Sequence, residues 1–228
     1  MAEGLITIKS AHETEIVINK SRFIASIHPA ETEEEAKSFI QQKKKEHHDA
    51  THNCSSYVIG PTMLIQKAND DGEPSGTAGV PMLEVLKKQQ LHNVVVVVTR
   101  YFGGIKLGAG GLIRAYGSAV SQVIKEVGRI ILLDAIPFEV TLDYDQTGRF
   151  EHELQQTDYQ LVDTAYTDKV TYTIHVIASE EEPFIDFLNE VNQGKYELNR
   201  QDIIALPFPY NKEERYSTLA FFFILCSC

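Results

Sequence analysis

Val94 to Val98 is an unbroken run of five valines, a pattern that predicts a strand buried on both faces. A helical period follows, with Leu112, Ile113, Tyr116, Ala119, Val120, Val123, Ile124 and Val127 on one side. Shorter alternating segments at Leu5–Lys9, Glu15–Ile18 and Arg22–Ile27 read as antiparallel strands, and Cys54–Ile59 and Met63–Ala68 as a further pair turning at Gly60-Pro61. Thr32 and Glu35 have the spacing of a capping box ahead of a helix carrying Ala36, Phe39 and Ile40. A second helix is expected to start near Pro81 and to pack Leu83, Val85 and Leu86.

Beyond Pro137 the alternation is clean. Phe138, Val140, Leu142 and Tyr144 share one face of a strand, and a helix is expected around Arg149–Thr157. Strands at Tyr159–Tyr166 and Val170–Ala178 come next. Ser179 and Glu182 have a second capping-box spacing before Phe184, Phe187, Leu188 and Val191, and a last strand falls within Tyr196–Leu206. The order β-α-β-β-α-β is that of a ferredoxin-like plait. With no regular βαβ alternation in the first half, the chain reads as α+β, with domains at 1–135 and 136–206 and an atypical tail at 207–228.

Charge sharpens that division. Residues 1–135 hold 15 Lys and Arg against 15 Asp and Glu, whereas residues 136–228 hold 6 against 17, so the net charge of −11 lies in the second part. Contact with phosphate backbones is therefore expected from a local face of the first half. No run of eighteen apolar residues predicts a membrane span, the N-terminus has no signal-peptide pattern, and three cysteines make no disulfide framework; the expected location is cytoplasmic. The tail segment LAFFFIL, Leu219–Leu225, is too short to cross a bilayer, and Cys226-Ser227-Cys228 is no prenylation signal.

Candidate chemistry concentrates after the valine strand. Thr99-Arg100-Tyr101-Phe102 leads into Gly103-Gly104-Ile105-Lys106-Leu107-Gly108-Ala109-Gly110-Gly111, five glycines in nine residues. Between Thr99 and Gly117 the chain carries Arg100, Lys106 and Arg114 and no carboxylate. A glycine-rich loop opening an uncapped helix suits a phosphate or carboxylate, approached by backbone N–H groups and flanked by these cations. The same glycines also serve a tight strand-to-helix connection. The spacing is neither that of a P-loop nor that of a dinucleotide fingerprint.

Three further groups deserve weighing. The acidic turn Asp70-Asp71-Gly72-Glu73, followed by Ser75 and Thr77, suits an interaction or substrate loop; ordinary turn and capping chemistry is the alternative, and a metal site is a lesser one. His52 and Cys54 project to one face of a strand, with His47 and His48 nearby, but without the ligand set of a zinc site. Cys54 reads as a buried strand residue. Lys43, Lys44 and Lys45 suit a solvated helix terminus.

Four segments together resemble the YigZ/IMPACT family: Lys20-Ser21-Arg22-Phe23-Ile24, His52-Asn53-Cys54-Ser55-Ser56-Tyr57, the block Asp70 to Gly79, and Thr99 to Gly108. The resemblance covers about residues 15–130, extends to the second half as the accessory domain of bacterial members, and does not continue past Leu206. It implies a first domain like the second domain of a small-subunit ribosomal protein, a fold shared with small-molecule kinases and parts of translation factors. It also implies a second domain similar to the last domain of elongation factor G. Eukaryotic members regulate translation by competing for an activator of an initiation-factor kinase. The expectation is a non-catalytic, translation-associated regulator, without metal or cofactor, that binds RNA, the ribosome or a translation-machinery protein. Its contacts would be Arg100, Tyr101, Phe102, Gly103, Gly104, Lys106, Gly108, Gly110 and Arg114, with Asp70, Asp71, Glu73, Ser75 and Thr77 beside them. An enzyme acting on a phosphorylated or nucleotide substrate, with Asp70, Asp71 or Glu73 as metal ligand or base, is the rival expectation; a pure protein-binding module is the third.

Overall fold

A computed structural model describes residues 4–210. Of the tail expected from residue 207, only 207–210 is covered; LAFFFIL and the terminal cysteines lie outside the described residues. The chain divides into two compact units, one of Leu5–Ile131 joined by 208–210, the other of Leu132–Pro207 with Gly4.

The first unit contains β1 (Leu5–Thr7), β2 (His12–Ile18), β3 (Ser21–Pro29), α1 (Glu33–Glu46), β4 (His52–Ile59), β5 (Ile65–Asn69), α2 (Gly79–Lys88), β6 (Val94–Tyr101) and α3 (Gly108–Val127). Its sheet is antiparallel throughout, in the order β2-β3-β6-β4-β5, with the valine strand at the centre. All five valines are fully buried because helices cover both faces. Val94, Val96 and Val98 pack with Met82 and Leu86 of α2 and with Leu112, Tyr116 and Val120 of α3. Val95 faces the opposite way, into a smaller core with Ala36 of α1 and Tyr57.

Local chemistry places the helix ends. Thr32 caps α1 by accepting from the Glu35 amide at 3.2 Å, while the Glu35 carboxylate accepts from the Glu31 amide at 2.8 Å rather than from the cap residue itself. On α3 the apolar stripe differs from expectation at one position: Ile113 is exposed, and Ala115, one small residue lying close over the sheet, takes its place in the core.

The second unit holds most of β7 (Ile130–Leu142), then α4 (Thr147–Leu154), β8 (Gln160–Tyr166), β9 (Val170–Ile177), α5 (Glu181–Asn192), β10 (Glu197–Arg200) and most of β11 (Ile204–Pro209). Strands β10-β7-β9-β8 pair antiparallel in that order. Phe138, Val140, Tyr172 and Ile174 on the strands pack with Phe150 of α4 and Phe184 and Leu188 of α5. The Ser179 capping box does not form. Ala178–Glu180 is a single 3-10 turn, and α5 starts at Glu181 with no side-chain cap. Pro183 in its first turn has no N–H, which reduces the donors a cap would serve. Among the described residues no helix is long and apolar enough to cross a membrane.

Candidate functional site

Arg100 sits near the end of β6, in register with Phe23 on β3 and His52 on β4. By alternation it points to the same face as Val94, Val96 and Val98, under α3. That position would strand a guanidinium inside the core, and its side chain is only 6% exposed. The compensating charge comes from the acidic turn: Arg100 Nη1 donates to Glu73 Oε1 at 2.6 Å, and Glu73 is 3% exposed. Arg100 also donates to the Ser21 hydroxyl at 3.4 Å, and its carbon Cζ lies 5.4 Å from the ring centres of Phe23 and Phe102. Its Nε has no hydrogen-bond partner.

The same Glu73 oxygen accepts a hydrogen bond from the Tyr116 hydroxyl of α3 at 2.8 Å. The Cys54 thiol donates to the Asp70 carbonyl oxygen at 3.0 Å and lies 3.3 Å from the Tyr116 oxygen. Burial above all pushes the Cys54 thiol up to about 12; the Tyr116 hydrogen bond opposes it, and the Glu73, Asp71 and Asp70 charges add smaller upward pushes. Burial raises the Tyr116 phenol far above its ordinary range. Both groups stay neutral at physiological pH, and Cys54 is no ready nucleophile.

Most of the acidic turn organises backbone. Asp70 accepts from the amides of Gly76 at 2.8 Å, Ala78 at 3.0 Å and Gly79 at 2.8 Å, acting as a remote cap for α2. Burial pushes its carboxyl upward, but those three N–H groups together outweigh it and hold the pKa below the ordinary value. Asp71 accepts from the Asn53 amide at 2.7 Å and from Lys44 at 2.5 Å, so one lysine of the α1 terminus anchors the turn. Thr77 is buried and donates to the Pro74 carbonyl at 2.6 Å; Ser75 is exposed.

His52 bridges the turn and the sheet. Its Nδ1 lies 2.9 Å from the Asp71 carbonyl oxygen. A carbonyl only accepts, so Nδ1 carries a proton; the tautomer this selects for an uncharged ring has its lone pair on Nε2. Nε2 stands 3.9 Å from Glu73 Oε2.

The glycine loop splits into two parts. Gly103 is a packing residue: a Cβ there would lie 2.0 Å from the Lys20 carbonyl group, and its amide donates to the Ser21 hydroxyl at 3.1 Å. Gly104 and Gly108 have φ of +84° and +70°, which turn the chain into α3. No side chain caps α3, whose first residues are Gly108, Ala109 and Gly110. Lys106, Arg114 and Phe102 are exposed. Tyr101 is engaged instead, donating to Asp49 at 3.1 Å, with the His47 ring nitrogen 3.0 Å away and Arg22 over its ring.

Of the five cationic or aromatic groups taken for direct contacts, Arg100 is neutralised internally and Tyr101 is tied down, leaving Lys106, Arg114 and Phe102 exposed. The window from Thr99 to Gly117 hid this, because the neutralising carboxylate lies 27 residues earlier in the chain. The sequence offered Glu73 as part of an acidic interaction turn, or as a metal ligand or base, and weighed His52 with Cys54 for metal or catalytic chemistry, without pairing either with Arg100. A buried arginine needs a carboxylate within reach, and Glu73, buried across the sheet from it, is the one that supplies it.

These elements enclose one cleft of about 450 Å³, lined by Thr51, His52, Glu73, Pro74, Arg100, Phe102, Lys106, Leu107, Gly108, Ala109 and Leu112. It is large enough for a small ligand. Ionised Glu73 and Arg100 at its base compensate each other, while Lys106 and the start of α3 make its rim electropositive. Among the described residues no three His, Cys, Asp or Glu side chains group as a metal site.

The fold and cleft correspond to a defined class of two-part protein. Residues 19–124 match the Impact N-terminal domain, and residues 140–195 match a domain of unknown function, DUF1949. The chain is 48% identical over 206 residues to the IMPACT family member YvyE of Bacillus subtilis, covering 90% of this chain and 95% of that one. It is 34% identical over 183 residues to the IMPACT family member YigZ of Escherichia coli, covering 79% and 90%. A crystal structure of an hypothetical protein, 31% identical, aligns with a TM-score of 0.55 over 89% of this chain and 99% of that one. The chain belongs to the IMPACT family.

Proposed function

We propose that this protein is a regulator associated with translation, and that it binds RNA, ribosomal RNA included, through the face around the start of α3. One observation carries the reading: Phe102, Lys106 and Arg114 stand exposed beside an uncapped helix N-terminus, and no carboxylate pairs with either cation among the described residues. Phosphate groups would take the two cations and the first-turn amides, and an unpaired base would stack on Phe102. Arg100 holds the cleft's shape through Glu73 and contributes no free charge. Family membership supports a regulatory role. The strand order β10-β7-β9-β8 with two helices supports the ferredoxin-like reading of the second unit, and the helix-covered central sheet is consistent with the ribosomal-protein-like reading of the first. A cytoplasmic location accords with such a partner.

A second reading, a protein of the translation machinery as partner, is favoured by the exposed apolar side chains of Phe102 and Ile105 in the loop that leads into α3. Fluorescence anisotropy with single-stranded RNA across a salt series separates the two. RNA binding predicts salt-sensitive affinity and a log–log slope reduced by about one unit in Arg114→Ala. No binding at low salt removes RNA and leaves the protein partner.

A further inference from the structure

Two residues that line the cleft keep acceptor atoms with no donor. Glu73 uses Oε1 for both Arg100 and Tyr116, while its Oε2 accepts no hydrogen bond from the protein and is left to the cleft that Glu73 lines. His52 Nδ1 donates to the Asp71 carbonyl, and in the tautomer this selects Nε2 is a second acceptor, 3.9 Å from that oxygen. Two acceptors side by side on the wall of a cleft are placed to receive two donors from one ligand.

The surroundings limit what those donors are. Glu73 is already compensated by Arg100, and Lys106 and the amides opening α3 raise the potential of the same cleft. A cationic donor such as an ammonium group is disfavoured there. Two adjacent neutral hydroxyls on an otherwise anionic molecule meet every requirement. Each hydroxyl donates to one acceptor, and the anion lies toward Lys106 and Gly108.

We propose that the cleft seats the vicinal diol of a ribonucleotide, one hydroxyl on His52 Nε2 and its neighbour on Glu73 Oε2, with the phosphate at the α3 N-terminus and the base against Phe102. This rests on the RNA reading above and makes it specific: a free 2′,3′-diol exists only at the 3′ end of an RNA or on a free nucleotide. An interior RNA segment and DNA both lack it.

The test compares hexa-adenylates labelled at the 5′ end and finished with a 2′,3′-diol, a 2′-deoxy nucleotide or a 3′-phosphate, titrated into the full chain. The diol end should bind about tenfold more tightly than either altered end, with the same salt slope as the 2′-deoxy end, where only an uncharged contact changes. Free AMP displacing the labelled oligomer at concentrations comparable to the unlabelled diol-ended RNA would identify the mononucleotide as occupant. Displacement only by the RNA would identify its 3′ end. Salt-sensitive binding that is equal for all three ends overturns the diol seat and leaves the RNA reading standing; no binding at low salt overturns both. His52→Phe, checked by its thermal melt, should remove the preference for the diol end while leaving the salt slope unchanged. A folded variant that keeps the preference overturns the assignment, and the wild-type comparison stands if the variant does not fold.

Discussion

Among the described residues the first unit buries ten polar or charged side chains (Thr7, Ser21, Ser26, Asn53, Ser55, Ser56, Glu73, Thr77, Thr99 and Arg100), and the second unit buries one, Asn192. Ion pairs follow the same division. Arg100–Glu73 is almost wholly enclosed, whereas Lys169–Glu197 and Arg200–Glu181 lie at the surface of the second unit, each at 2.7 Å. The second unit is therefore an apolar core under one face of a sheet, with charges left in water. The first carries a hydrogen-bonded network running from Ser21 through Arg100 and Glu73 to Tyr116. An enclosed ion pair is a poor source of stability, because desolvation offsets most of the attraction. Its presence beneath a cleft makes sense as positioning: it holds Glu73 with one oxygen still available.

The largest effect that separates the two units should come from breaking one ion pair in each. Arg100→Met leaves the Glu73 charge buried without its counter-ion and should lower stability by about 3–5 kcal/mol, measured by urea unfolding. Arg200→Ala breaks an exposed, screened pair and should leave the unfolding curve nearly unchanged. The double change Arg100→Met with Glu73→Leu should recover much of the first loss. A cost for Arg100→Met no greater than that for Arg200→Ala would dissolve the contrast.

Glycines give the next test. Gly103→Ala places a methyl group against the Lys20 backbone and should destabilise by about 1–3 kcal/mol. Gly148, in the first turn of α4, has open space around it, so Gly148→Ala should be neutral or stabilising by up to about 1 kcal/mol. Thermal melts of the two variants should move in opposite directions.

The smallest effect concerns acid. The folded-state pKa of Asp70 lies below its ordinary value of 3.8, so the unfolded chain binds the proton more readily. Its contribution is complete above 3.8 and is lost as pH falls through the folded-state pKa. Asp70→Asn, which keeps an acceptor but removes the charge near the start of α2, should cost about 0.3–1 kcal/mol at neutral pH. Below 3.8 the difference between variant and wild type should shrink; a constant difference across the series would detach Asp70 from the acid response.

Much of the framework was legible along the chain because it depends on neighbours in sequence. Alternation in Phe138–Leu142, the valine run and the Thr32 cap each express a local rule, and the corresponding elements lie where those rules put them. Local rules failed where packing intervened, as at Ile113, which left the core to Ala115, and at Ser179, drawn into a 3-10 turn. The glycine loop and its exposed cations were visible too, since a helix start without a cap is a local property. Arg100 was misjudged for the opposite reason: a guanidinium is free or paired according to what lies across the sheet.

By itself, then, the sequence determined the elements, the division of charge between the two halves, and the stretch where chemistry gathers. Tertiary structure decided which charges are available. Pairing Arg100 with Glu73, orienting His52 by the Asp71 carbonyl, and leaving Glu73 Oε2 and His52 Nε2 as neighbouring acceptors all require residues from β4, β6 and the acidic turn to meet. Electrostatic compensation acts through space at a few ångströms, and no period along the chain encodes which distant residue will supply it.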